Sequence, residues 1–187
     1  LTEAIAHVAH PAIRNRGTLG GSLAHADPAS ELPACMVALN ATIVVSGQEG
    51  ERRVAAGDFF KGIYETDLSA RELLTSVELP VAGKSEHYFH EFARRHGDYA
   101  IAGLAAQAIV EQDVFTDLRL VFFAVGDRPV SAKAATRLLK AAITPAVLAA
   151  ASTALGEELD PQDDQQASAS MRRHLAKVLL TRCASAL

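Results

Sequence analysis

Tryptophan is absent from the 187 residues, and cysteine occurs only as Cys35 and Cys183. Two cysteines so far apart build neither a disulfide framework nor a CxxC metal or redox site. The chain therefore carries no iron–sulfur cluster of its own. An excess of positive charge is also lacking: Lys+Arg 18 against Asp+Glu 22 gives a net charge of −4, which argues against a nucleic-acid partner. The longest apolar stretch, Ala141 to Leu155, is broken by Thr144, Pro145, Ser152 and Thr153 and is shorter than the roughly 18 residues of a membrane span. Few cysteines and no secretory apolar segment fit a reducing cytoplasm. Because the first residue is Leu1 rather than Met, the chain reads as missing part of its N-terminus.

What is present is a globular composition, 49% apolar and 21% charged. Leu1, Ile5 and Val8 stand at helical spacing before Pro11 ends the helix. Residues 12–28, AIRNRGTLGGSLAHADP, show no periodic apolar face and predict a long ordered loop. A buried helix over 29–40 follows, then a hairpin turning on Gly47 to Gly50. Strands are predicted over 72–80, 87–95, 99–111 and 117–126, and helices over 131–143, 144–159 and 170–187, with Thr144 and Pro145 as cap and first position. Grouped strands followed by grouped helices give an α+β fold. The Pro/Gly segment PVAGKSE divides residues 1–82 from residues 83–187.

The most informative segment is Arg14-Asn15-Arg16-Gly17-Thr18-Leu19-Gly20-Gly21-Ser22. It is neither a Walker loop nor GxGxxG. Adjacent glycines either make a plain tight turn or turn backbone N–H groups toward one centre as an anion-binding nest, with no Cβ to block a phosphate. The neighbouring arginines and the polar His25-Ala26-Asp27-Pro28 raise the nest to equal standing with the plain turn.

The run IRNRGTLGGSLAHADPASELP, followed much later by FARRHGDYAIAG, resembles the FAD-binding medium subunit of molybdenum hydroxylases, the group containing aerobic carbon monoxide dehydrogenase and xanthine dehydrogenase. The resemblance covers essentially the whole chain. It implies the C-terminal half of an FAD-binding domain of the vanillyl-alcohol oxidase-like type (PCMH), then an antiparallel sheet packed on a three-helix C-terminal domain. It assigns Thr18, Leu19, Gly20, Gly21 and Ser22 to the FAD diphosphate, Glu31 to a further cofactor contact, and Leu74 and Tyr99 to the neighbourhood of the flavin ring. Two departures stand out. Glu91 occupies a position where many relatives carry lysine, which would place a negative charge near the flavin. The family's first glycine-rich diphosphate loop has no counterpart, so the chain looks like a fragment or one piece of a nicked polypeptide.

By this resemblance the chain is an electron-transfer subunit, active only within a complex. A molybdopterin-binding large subunit and a [2Fe–2S] small subunit are its partners, in a dimer of heterotrimers, and an external acceptor takes the electrons. A flavin-free structural subunit or truncated paralogue is the alternative, and a stand-alone FAD oxidoreductase has thinner support. His7 with His10, and His87 with His90, read as surface or capping histidines, because no third metal ligand lies nearby. Arg94 to Asp98 read as a charged turn. Ser22 or Ser30 with His25 and Asp27 lacks the nucleophile elbow of a hydrolase.

Overall fold

A computed structural model describes residues 1–112, 114–138 and 141–187. The chain begins with α1 (Thr2–His7), α2 (Pro11–Arg14), α3 (Leu19–His25) and α4 (Glu31–Ala38). Pro11 does not merely stop α1; it occupies the first turn of α2, where its missing N–H is harmless. The segment predicted as a loop over 12–28 is thus largely helical. Thr18 caps α3 by accepting from the Gly21 amide at 3.0 Å, which lets two glycines enter a helix despite their low propensity. Ala26 then ends α3 in the left-handed region at φ 51.

The hairpin forms as predicted from β1 (Thr42–Gly47) and β2 (Gly50–Ala55), and β5 (Leu73–Glu78) pairs antiparallel on the other side of β1. Between them α5 (Ala56–Phe59), β3 (Phe60–Gly62) and β4 (Glu65–Thr66) form a small unit that sequence periodicity does not announce. The antiparallel sheet of the second half has the order β6-β7-β8-β9, with β6 Glu86–Ala93, β7 Ala100–Glu111, β8 Val114–Phe123 and β9 Val130–Ser131. Of the helix predicted over 131–143, α6 (Ala135–Leu138) is described, Ser131 belongs to β9, and residues 139 and 140 lie outside the described residues. The two remaining helices, α7 (Pro145–Glu158) and α8 (Ala169–Ala186), match expectation, and Thr144 accepts from the Val147 amide at 3.2 Å.

The long sheet is covered on both faces. Ala102, Leu104, Ala106 and Ala108 of β7 pack with Leu155, Leu179, Leu180 and Cys183 of α7 and α8. Ala105, Val121 and Phe123 pack instead with Leu32, Cys35 and Met36 of α4 and with Ile43 and Phe59. Alternation of side chains along a strand produces this division. Gly103 makes room for the Phe123 ring opposite it, since a Cβ at 103 would fall within that ring. Arg172, 6% exposed, fastens α8 to the strand ends by donating to the carbonyls of Ile101 at 2.8 Å and Ala124 at 2.7 Å.

Candidate functional site

At the start of α3 the amides of Leu19 and Gly20 occupy the first helical turn, where N–H groups have no acceptor within the helix. The glycine pair therefore offers donors as a helix start rather than as a tight turn or a nest, and the chemistry is suited to an anion. Thr18, Leu19 and Gly21 are exposed, and Gly20 and Ser22 are half-buried. Arg14 does not join them. Its guanidinium donates to the carbonyls of Val8 at 2.7 Å and Ala9 at 2.6 Å, closing the connection between α1 and α2.

Leu74 of β5 reaches this helix start: a Cβ on Gly20 would stand 3.8 Å from Leu74 Cδ2. Ser22 shares a hydrogen bond of 3.0 Å with Ser30, the residue that begins α4. Glu31 follows Ser30 but is turned inward at 6% exposure, and burial pushes its carboxyl above the ordinary value, with Asp27 adding to the rise. The structure thus gathers Thr18 to Ser22, Leu74 and Glu31 around the junction of α3, α4 and β5.

Tyr99 stands apart from that group. It is 59% exposed, just before β7, and lines an open cavity of about 980 Å³ together with Asp27, Lys61, Tyr64, Arg128 and Arg172. Asp27 and Tyr64 join the two regions. Asp27 accepts from the Ala29 amide at 2.9 Å and from the Tyr64 hydroxyl at 3.4 Å, and the Tyr64 ring stacks on His25 with centroids 4.8 Å apart. The Asp27 charge raises the Tyr64 phenol above its usual value. A backbone bond from Ala124 N–H to the Pro28 carbonyl at 2.8 Å ties the same corner to β8. Tyr64 and Ser30 carry no cofactor-site signal in the sequence; only the Asx turn of Asp27-Pro28-Ala29 marks this corner.

Glu91 departs from expectation. Its side chain is 3% exposed and points to His7 of α1, with Oε1 3.3 Å from Nδ1, rather than out toward a ligand. Burial, with Glu31 nearby, pushes its carboxyl up to about 8, which favours the protonated form. Burial of this carboxyl thus opposes the negative charge expected at this position. No group of histidine, cysteine and carboxylate side chains among the described residues could hold a metal ion.

Two family descriptions divide the chain between them. "FAD binding domain in molybdopterin dehydrogenase" matches residues 1–82, and "CO dehydrogenase flavoprotein C-terminal domain" matches residues 87–187. The chain belongs to the molybdenum hydroxylase flavoprotein family. Among curated members of that flavoprotein family it is 40% identical over 177 residues to the nicotine 6-hydroxylase medium subunit of Paenarthrobacter nicotinovorans, covering 94% of this chain and 62% of that one. It is 34% identical to the glyceraldehyde dehydrogenase medium chain of Sulfolobus acidocaldarius, covering 89% and 60%. The fold superposes on carbon monoxide dehydrogenase from Hydrogenophaga pseudoflava with a TM-score of 0.92 at 31% identity, over 96% of this chain and 63% of that one. Quinoline 2-oxidoreductase from Pseudomonas putida 86 gives 0.88 at 42% identity, over 96% and 63%. The chain spans about three fifths of the length of the curated flavoproteins it matches and has no helix long and apolar enough to cross a membrane among the described residues.

Proposed function

We propose that this chain is the FAD-holding part of the electron-transfer subunit of a molybdenum hydroxylase. It works in the cytoplasm with a molybdopterin-binding large subunit and a [2Fe–2S] small subunit, as a dimer of heterotrimers, and serves an external electron acceptor. The observation that carries this reading is the capped, glycine-bearing start of α3 in contact with Leu74, within a segment that the family's FAD-binding description matches. The residues fit a diphosphate: two amides lack helical acceptors, and no Cβ stands at positions 20 and 21.

In this reading the amides of Leu19 and Gly20, with the Thr18 and Ser22 hydroxyls, hold the FAD diphosphate. Leu74 packs beside the cofactor, and Tyr99 and Tyr64 offer ring faces at the cavity. Glu31, buried in the first turn of α4, makes the further cofactor contact. When bound, the flavin supplies the exchange between two-electron and one-electron transfer. The chain's own task is to orient that cofactor and limit water around it, so no general acid or base is required. Residues 1–82 and 83–187 are assigned to the FAD-binding and C-terminal parts respectively.

The test is to isolate the native assembly, record the intact mass of every polypeptide, denature it and quantify released flavin. One FAD per copy of this chain, together with large and small subunits, is expected. An assembly containing this chain but no flavin overturns the cofactor role and leaves a structural subunit.

A further inference from the structure

Tyr99 is 59% exposed, so its place at the cavity is set by its backbone rather than by burial. Two arginines tie that backbone to the connection between α7 and α8. Arg94, five residues before Tyr99, donates through Nη2 to the carbonyls of Gln165 at 2.8 Å and Gln166 at 2.9 Å. Arg172, near the start of α8, donates to the carbonyl of Ile101, two residues after Tyr99, and to Asp164 Oδ2 at 2.6 Å. The connection is itself braced, because Asp164 Oδ1 accepts from the amides of Gln166 at 2.8 Å and Ala167 at 3.0 Å. Tyr99 and Gln166 both line the cavity of about 980 Å³ and a smaller hollow of about 300 Å³ that includes Arg94, so they form a wall common to the two.

We propose that Arg94 and Arg172 are positioning residues for the flavin: acting through residues 160–168, they fix the place from which the Tyr99 ring faces the cofactor. This rests on the reading of Tyr99 as a flavin neighbour. The turn before Tyr99 has one internal bond, from the Asp98 amide to the Arg95 carbonyl at 3.1 Å, which shapes the turn without anchoring it. Its anchors are Gly97, seated against His10 where a Cβ would fall 2.6 Å from Nδ1, and on the other side Arg94. Arg172 holds the strand beyond. It also donates to the Ala124 carbonyl at 2.7 Å, and the Ala124 amide bonds Pro28, so one guanidinium relates Tyr99 to the Asp27 and Tyr64 corner of the cavity. The Arg172 Nε is buried without an acceptor. An unmet buried donor costs stability, so the arrangement is explained by what the guanidinium orients.

The test uses the native assembly carrying Arg94→Ala, an exposed position, or Arg94→Lys. Amide hydrogen exchange reports on the two tied segments, and the visible circular dichroism of bound flavin reports on the ring's surroundings. In Arg94→Ala, exchange over residues 96–101 and 162–168 should rise about tenfold in both segments together, with flavin content unchanged and the flavin dichroism altered. Arg94→Lys should return both signals most of the way to the parent. Unchanged exchange overturns the tie. Raised exchange with unaltered dichroism at full flavin content overturns the positioning role and leaves a structural one. A parent assembly without flavin overturns the cofactor reading itself, and the positioning role with it. If Arg94→Ala does not assemble, Asp164→Ala, which removes the acceptor of Arg172 and of two amides in the connection, decides by the same two measurements.

Discussion

Replacing Gly20 by alanine separates the fold from the binding site. The added Cβ would stand 3.8 Å from Leu74 Cδ2, an ordinary van der Waals contact, and nothing else lies within 4 Å. Alanine is favoured over glycine within a helix by up to about 1 kcal/mol, so stability should hold or rise by that amount. The same Cβ would occupy space that a diphosphate needs to approach the Leu19 and Gly20 amides. Loss of about 1.4 kcal/mol of binding lowers affinity tenfold, and steric exclusion should exceed that. Denaturant titration gives the stability, and flavin released from the native complex gives the occupancy. The expected result is an unchanged or higher midpoint with flavin content falling well below that of the parent. Unchanged flavin content would refute the placement of the diphosphate at α3, because a methyl at position 20 would obstruct a diphosphate bound there. Gly21 makes the contrast: a Cβ there would stand 2.9 Å from Thr18 Oγ1, so Gly21→Ala should disturb the cap as well.

Other substitutions test the supporting structure. Thr18→Ala removes the acceptor for the Gly21 amide and should cost about 1 kcal/mol in a denaturation measurement; no change would mean that the cap contributes nothing. Gly103→Ala drives a methyl into the Phe123 ring and should cost about 2 to 3 kcal/mol, partly recovered in the double variant with Phe123→Leu; equal stability of single and double variants would sink the packing account. Arg172→Leu leaves the Ile101 and Ala124 carbonyls without their donor and should cost about 3 kcal/mol, with a cost under about 1 kcal/mol counting against it. Glu91 has a folded value of about 8 against an ordinary 4.5, so its contribution is full below the lower value and is lost as pH rises toward the higher. Denaturation midpoints at about pH 5, 7 and 9 should therefore fall less steeply for Glu91→Gln than for the parent, and parallel curves would contradict the burial of that carboxyl.

Much of the architecture was legible from local signals. Thr144 with Pro145 marked the start of α7, Gly47 and Gly50 bracketed the hairpin, and the small and β-branched residues of β7 and β8 marked buried strands. Helix α3 was not legible, since consecutive glycines argue against a helix; the Thr18 cap and contacts with α4 and β5 override that preference. The turn to α5 and the β3–β4 pair escaped because such short elements carry no measurable period. At the site, the motif alone drew attention to Gly20 and Gly21, but their meeting with Leu74 depends on pairing between β1 and β5 across a long stretch of chain. The burial of Glu91 against His7 is not legible, because sequence shows neither which face of β6 the side chain occupies nor what burial does to its proton.

The sheet that is covered on both faces bears on how this protein folds and fails. Neither lobe owns β7: its alternate side chains complete one hydrophobic cluster with α4 and another with α7 and α8. Separating the lobes at the exposed PVAGKSE linker would strip one face of that strand bare and leave a sticky alanine-rich wall. The division seen in sequence is therefore not a division in cooperativity, and melting should run as one transition in which both lobes lose structure together.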